Sequence, residues 1–257
     1  MAVDDSKILG YGGSAEIAGQ QVLITSGGFT NQSSPAYLEP MSIPATTVSR
    51  SRILHADGII AYSGQLSLDV TDSFLTVLTT ATLLGRRYQF DVGIDTGEDS
   101  QVLANCYATS ISLSGSPGGL VNASISFISA EAPSAGAVAN AFIRDDEPLG
   151  YWDSGNTDVR SWTFNMNQNA SPVYGNINTT LPRYIKVGMV DYSLEVETFD
   201  AVIATSVINI KTSAFTLSGV TTSQGYAFAG ITELGSYTHT FETAADATVG
   251  SGGIIIT

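Results

Sequence analysis

The chain has 257 residues and a net charge of −14, because 24 Asp and Glu stand against only ten Lys and Arg. So few bases argue against a protein that grips nucleic acid by neutralising phosphates. Hydrophobic residues make up 43% and charged residues 13%, and 26 residues are Gly, a composition that favours short strands and tight turns over helices.

The chain begins with an acidic, Gly-rich segment. Asp4 and Asp5 stand where a secretion signal would need basic and then apolar residues, and no apolar run is long enough to span a membrane. We therefore expect a product that starts in the cytoplasm, with an N-terminal arm over residues 1–19.

Alternating apolar and polar residues predict strands along most of the chain. The clearest strand has three apolar residues on one face and three polar residues on the other: Leu66, Leu68 and Val70, against Gln65, Ser67 and Asp69. The same pattern predicts strands over residues 89–94, 108–114, 121–128, 162–166, 184–197, 207–211, 214–218 and 237–241.

One helix is predicted, over residues 72–84. Asp72 or Ser73 can cap its N-terminus, and Gly85 can end it. Its apolar stripe consists of Phe74, Leu75, Leu78 and Leu84. Farther along, residues 133–158 break the alternation and predict a linker.

The two sides of that linker carry a weak internal repeat of four matches in the same order. FTNQSSPAYLEP, around Ser34, returns as MNQNASPVYGNI, around Ser171. GQLSLDVT returns as VDYSLEVE, SISLSGSPGGL as AFTLSGVTTSQ, and ASISFIS as YTHTFET. The pattern predicts an all-β, mainly antiparallel chain with two tandem β-sandwich or barrel domains and one short helix in the first. We place the domains at residues 20–132 and 159–245, joined by the linker 133–158 and followed by a C-terminal arm at 246–257.

Signs of catalysis are weak. Asp95-Thr96-Gly97 and Asp153-Ser154-Gly155 resemble the paired loops of an aspartic protease, in which two carboxylates share a proton. Further acids follow Asp95, and the two triplets fall outside the repeat register, so we interpret both as turn aspartates. Histidine occurs only at His55 and His239, too few for a metal cage or a catalytic relay. We predict no enzyme.

Other candidate sites have structural interpretations that we favour. The acids near Asp95 and near Asp145 could hold calcium, but they lack EF-hand spacing and are better interpreted as solvated loops. Cys106 lies in a predicted strand and is expected to be an inert buried thiol. Tyr151, Trp152 and Trp162 could stack on a sugar, although core or linker anchors are the more common role. No cofactor and no metal is predicted.

The Gly-rich arm, the long irregular segment LEPMSIPATTVSRSRILHAD, the helix after the central strand and the closing hairpin SISLSGSPGGLVNASISFIS together resemble the bacteriophage tail tube protein family. The likeness covers residues 15–130 best and residues 160–245 more loosely. It implies a β-sandwich flanked by a helix and rings of subunits that stack into a hollow tube. Typical members have one such domain per chain and six chains per ring, whereas the duplication here implies three chains.

The resemblance also implies partners: other copies of the chain, a tape-measure protein, tail terminator and tip proteins, and phage DNA that passes through without specific binding. It implies that the protein is located in the virion tail and does not insert into a membrane. The polar residues of the matched strands are expected to line the lumen: Gln65, Ser67, Asp69, Asp191, Ser193, Glu195 and Glu197. The long segment is expected to stack rings through Glu39, Arg50, Arg52, His55 and Asp57. The alternative is another virion or extracellular β-sandwich module, such as a capsid decoration protein or a carbohydrate-binding adhesin.

Overall fold

A computed structural model describes residues 14–38, 53–80, 83–84, 88–95, 99–138, 152–154, 159–174, 181–199, 205–210, 215–220, 223–227, 235–243 and 255–256. These residues form one helix, α1 (Asp72–Thr80), and fifteen strands. The strands are β1 (Ser14–Ile17), β2 (Gln20–Leu38), β3 (Ile53–Asp69), β4 (Phe90–Asp95), β5 (Ser100–Gly115), β6 (Asn122–Ser129), β7 (Ser134–Ala135), β8 (Trp152–Ser154), β9 (Val159–Val173), β10 (Tyr184–Thr198), β11 (Thr205–Ile210), β12 (Phe215–Val220), β13 (Ser223–Ala227), β14 (Ser236–Thr243) and β15 (Ile255–Ile256).

All strand pairings are antiparallel, which confirms the predicted all-β class. Strands β1, β2, β3, β6, β5 and β4 close into a six-stranded barrel. Closure is possible because β5 is long: its first half pairs with β4 and its second half with β6, with register shifts in both pairings. A second sheet of four strands has the order β15-β12-β11-β8.

The sheet continues beyond the barrel across the predicted linker. The end of β5 pairs with the start of β9, from Ser110 opposite Asn167 to Gly115 opposite Trp162. Strands β10, β14 and β13 then follow β9. The side chains of β9, β10 and β14 join the same apolar cluster as those of the barrel. The strands on both sides of the predicted linker therefore share one sheet and one core. The predicted domain boundaries stay a prediction.

The apolar face of this sheet shows how the core is built. One row crosses six strands and contains Leu68, Ala123, Leu113, Phe164, Leu194 and Phe241, all buried. Such alternation along every strand is what the period-2 pattern predicts. The four residues of the predicted helix stripe are buried and belong to the same apolar cluster as this row. Tyr192 of β10 stacks on Phe164 at 6.2 Å between ring centroids and donates a hydrogen bond of 2.5 Å to the carbonyl of Leu84.

Three local features differ from the prediction. Thr71 precedes the helix and caps it, because its Oγ1 accepts from the amide of Phe74 at 3.3 Å, whereas the predicted caps Asp72 and Ser73 lie in the first turn. The described helix ends at Thr80 and Leu84 lies in a turn, so the predicted helix over 72–84 is too long. The sequence pattern does not predict β1, which lies within the expected arm and buries Ala15 and Ile17 in the barrel.

Candidate functional site

The face of the sheet opposite the core is polar across six strands, and we call it the polar face. Its side chains form three rows in register on β3, β6, β5, β9, β10 and β14. The middle row contains Ser67, Ser124, Ser112, Asn165, Ser193 and Glu242. On one side lie Asp69, Asn122, Ser114, Thr163, Glu195 and Thr240, and on the other Gln65, Ser126, Ser110, Asn167 and Asp191. Hydroxyls, amides and carboxylates thus cover a continuous surface.

The structure brings the seven residues predicted to line a lumen onto this one face. Gln65, Asp191 and Glu195 are exposed. The others, Ser67, Asp69, Ser193 and Glu197, are partly exposed. Whether the face lines a channel stays a prediction.

Charge on the polar face is predominantly negative. Its carboxylates are Asp69, Asp191, Glu195, Glu197 and Glu242. Among the described residues, Arg160 is the one base that forms an ion pair there. Such a surface repels phosphate groups, and this repulsion is strongest at low salt, where counterions screen it least.

Glu197 sits at the end of the polar face in a local network of donors. Ser236 donates a hydrogen bond of 2.6 Å to Oε1, Ser161 one of 3.1 Å to Oε2, and the Arg160 guanidinium lies 3.2 Å from Oε1. The hydroxyl of Ser236 contributes most to holding the pKa of Glu197 below its usual value, with smaller contributions from Ser161 and Arg160, while partial burial opposes them. Arg160 also lies 5.1 Å from the ring centroid of Phe199. The network ties the end of β10 to the starts of β9 and β14.

The sheet has two open edges. The six strands of the polar face are flanked by β2 on one side and β13 on the other. The order of these eight strands is β2-β3-β6-β5-β9-β10-β14-β13. At one edge, β13 pairs with β14 alone among the described strands, and all five of its residues are exposed, Tyr226 to 60%. At the other edge, β2 beyond Leu23 pairs with β3 alone in the described part of the chain. Unpaired strand edges are sites for pairing with another chain.

A cavity of about 600 Å³ is lined by residues of β2 and β3, with further residues from β5 and β6. Its wall is rich in hydroxyl groups, including Ser26, Thr30, Ser67 and Ser126, and Phe29 contributes an aromatic side chain. Gly28 helps to keep this space open, because a Cβ there would meet no atom within 4 Å. Gly27 instead allows close packing, since a Cβ there would collide with Leu66.

The residues predicted to stack rings are only partly covered by the structure. Glu39, Arg50 and Arg52 lie outside the described residues, whereas His55 and Asp57 belong to β3. The strands β2 and β3 continue past β6 as a two-stranded ribbon that contains these two residues. A second ribbon of the same kind is formed by residues 169–174 and 181–190, where β9 and β10 continue past β5 and β14.

The residues weighed as catalytic or binding groups belong to different parts of the fold. Asp95 is buried at the end of β4, while Asp153 belongs to β8 in the four-stranded sheet. Trp162 is 1% exposed, so it is a core residue and no sugar platform. Cys106 is buried as predicted, and burial, with smaller effects from nearby carboxylates, raises the pKa of its thiol far above the usual value. His239 is buried on the core side of β14.

Within the described ranges, no group of three or more His, Cys, Asp or Glu could hold a metal ion. The acids near Asp145 lie outside those ranges, as does Tyr151. In the same part of the chain, no helix has the length and hydropathy needed to cross a membrane.

Sequence reasoning missed two parts of the site. A register shift between β9 and β10 places Arg160 next to Glu197. An alternating sequence pattern does not reveal a bulge of this kind. β13 was also missed, because SQGYA is short and polar.

Comparison with known proteins does not indicate a family for this chain: no protein-family model matches it, and no curated protein matches it.

Proposed function

We propose that this chain is the subunit of a self-assembling tube, a bacteriophage tail tube protein with a duplicated tube unit. The observation that carries the proposal is the strand order of the sheet. The first four strands, β2-β3-β6-β5, are followed by β9-β10-β14-β13. The sequence repeat matches β2 to β9, β3 to β10 and β6 to β14, in the same order along both groups. Its remaining match relates β5 to β12, which lies in the four-stranded sheet, so β13 takes the place of β5 by strand order alone.

The joint between the two groups suggests how copies of the chain associate. Within the chain, β5 at the end of the first group pairs with β9 at the start of the second. The open edge β13 occupies the place of β5, and the open edge β2 occupies the place of β9. Pairing of β13 with β2 of a neighbouring chain would therefore repeat the joint already present. Such head-to-tail pairing forms a ring if the rotation between successive copies closes, and a closed ring would remove the exposed edges.

Ring closure would place the polar face on one side of a continuous sheet, with the core and helix on the other. We propose that the polar face lines the channel, because its carboxylates would repel DNA phosphates and keep the genome from adhering. Two repeated units per chain would supply six positions with three chains. The proposed partners are copies of the chain, the tape-measure and terminal tail proteins, and DNA in transit through the virion tail. The chain would act as a structural protein, without catalysis.

The test is assembly of the purified protein, observed by negative-stain microscopy and then cryo-EM. We expect tubes of uniform width with threefold rings that look pseudo-sixfold. Tyr226→Lys on β13 and Thr30→Lys on β2 should each reduce ring formation, since lysines at an edge oppose strand pairing. Gln101→Lys is the matched control, because Gln101 is exposed but its strand is paired on both sides, with β4 and β7. A protein that stays monomeric at high concentration would contradict the proposal.

The cavity beside β2 favours a second candidate, a carbohydrate-binding module. Its hydroxyl-rich wall and Phe29 are the kinds of group that contact sugars. Glycan-array binding that is lost in Ser67→Ala, in a protein that forms no tubes, would support this candidate over the first.

A further inference from the structure

The second ribbon, residues 169–174 and 181–190, has a surface unlike the rest of this acidic chain. Arg183 and Lys186 are both exposed there, and residues 169–190 contain no acid. Among the described residues, neither base forms an ion pair. The described part of the chain has only one other base, Arg160. The ribbon is therefore a local positive surface on a protein of net charge −14.

The same ribbon exposes large apolar side chains. Met189 is 61% exposed, Tyr184 53% and Leu181 43%, within nine residues. Gly188 lets the backbone approach Asn169 closely, since a Cβ there would lie 2.7 Å from the Asn169 carbonyl oxygen. That contact accompanies the register shift that precedes Val190. A basic surface with clustered exposed apolar side chains is typical of an interface rather than of a solvated hairpin.

The opposite end of the same two strands is complementary in both respects. There, β10 ends at Thr198 opposite Val159, roughly 50 Å from Tyr184 at the start of this strand of 15 residues. This end exposes Phe199 to 41%, and the neighbouring turn after β5 exposes Leu120 to 44%. The last rows of the polar face add the carboxylates of Asp69, Glu195 and Glu197. Arg160 pairs with Glu197 at this end, so three acids and one base leave it net acidic.

We infer that the second ribbon docks onto this opposite end of another copy of the chain. A basic, apolar end that meets an acidic, apolar end is a heterologous contact, and contacts of this kind build open filaments instead of closed pairs. The inference rests on the proposed function, for which it supplies the contact between successive rings. It assigns that role to Arg183, Lys186, Tyr184 and Met189, in addition to the stacking residues within 39–57 that were predicted from the sequence.

The experiment separates axial stacking from ring formation. Arg183→Gln with Lys186→Gln lowers the net charge by two, and Gln20→Glu with Gln101→Glu is the matched control with the same change at exposed sites away from the ribbon. Mass photometry measures rings, and negative-stain microscopy measures tube length. We expect normal rings from both variants and shorter tubes from the ribbon variant alone, with each contact weakened roughly fivefold. Higher salt should shorten wild-type tubes and affect the ribbon variant less.

A second variant, Tyr184→Ser with Met189→Ser, tests the apolar part and should also shorten tubes at any salt concentration. Circular dichroism checks that each variant is folded. Tubes of wild-type length in both ribbon variants would overturn the inference and leave the proposed function intact. Loss of rings in the ribbon variant would also overturn it, since the ribbon would then be a lateral contact. Normal tubes that retain less DNA would assign the ribbon to nucleic acid instead. A wild-type chain that forms neither rings nor tubes would refute the proposed function itself.

Discussion

Gly115→Ala is the sharpest test of the joint between the two strand groups. Gly115 ends β5 and lies opposite Trp162 of β9, whose indole is 1% exposed. A Cβ on Gly115 would lie 2.9 Å from Nε1 and 3.0 Å from Cε2 of that indole. Ordinary contacts are about 3.5 Å or longer, so the ring must move by roughly 0.5 Å or more. The indole is rigid and enclosed, and overpacking of this kind costs about 1–3 kcal/mol.

A control glycine separates this clash from the general effect of replacing glycine in a strand. Alanine in a strand is favoured over glycine by about 0.5–1 kcal/mol, which offsets part of the cost at Gly115. A Cβ on Gly28 in β2 would meet no atom within 4 Å. Gly28→Ala should therefore raise the free energy of unfolding slightly, whereas Gly115→Ala should lower it by about 1–2 kcal/mol.

The assay is urea unfolding followed by far-UV circular dichroism, which does not depend on the tryptophans. The double variant Gly115→Ala with Trp162→Phe completes a thermodynamic cycle. Phenylalanine lacks the Nε1 edge, so the alanine should cost less than about 0.5 kcal/mol in that background. Because the two groups share one core, we expect a single transition. Equal effects of Gly115→Ala and Gly28→Ala would refute the packing argument, and two separate transitions would refute the shared core.

Three further outcomes are expected. Tyr192→Phe should lower the free energy of unfolding by about 1–2 kcal/mol, because the carbonyl of Leu84 loses its buried donor; urea titration measures this, and no change would show that water replaces the hydroxyl. The pKa of Glu197 is lowered in the folded state, so its stabilising effect is present above its unfolded-state pKa and is lost as pH falls through the folded-state pKa. Glu197→Gln should therefore make the free energy of unfolding less dependent on pH between pH 6 and pH 3, as measured by urea titration. Parallel pH curves for the variant and the wild type would contradict this. Asp191→Lys with Glu242→Lys changes two exposed acids of the polar face that lie outside the proposed docking end. The variant should leave rings intact but make assembled tubes retain DNA at low salt, with relief at high salt; unchanged retention in a sedimentation assay would place these acids away from the genome.

Alternation along the chain was sufficient to predict the faces of the strands. The residues around Leu66 and Leu194 have their apolar side chains in the core and their polar neighbours on the polar face, because a strand with one buried face leaves no other choice of register. The buried stripe of the helix followed for the same reason. Its cap at Thr71 did not, since Thr71, Asp72 and Ser73 are all suitable capping residues and packing decided among them.

What the sequence could not indicate is which strands become neighbours over long separations. Closure of the barrel depends on β5 changing partners midway, at the irregular stretch where Asn105 takes a positive φ of 52° and donates its amide to Asp91. The conformation is uncommon outside glycine, although asparagine tolerates it better than most residues. An alternating pattern assigns the same faces on either side of such a stretch. It therefore predicts the strand and leaves out its bend.

The sequence repeat and the strand pairing together say more about how the two units are arranged than either does alone. The sequence matches imply two similar units, and the apolar cluster shows that these units share a core instead of folding side by side. In the proposed assembly, four-stranded groups add one after another, because β13 has the same place in the strand order as the edge of β5 that the second group covers. Curvature of the sheet would then limit the number of groups. A twisted sheet that bends steadily meets its own first edge after a fixed number of groups, and three chains with two groups each would satisfy the six positions inferred from the repeat.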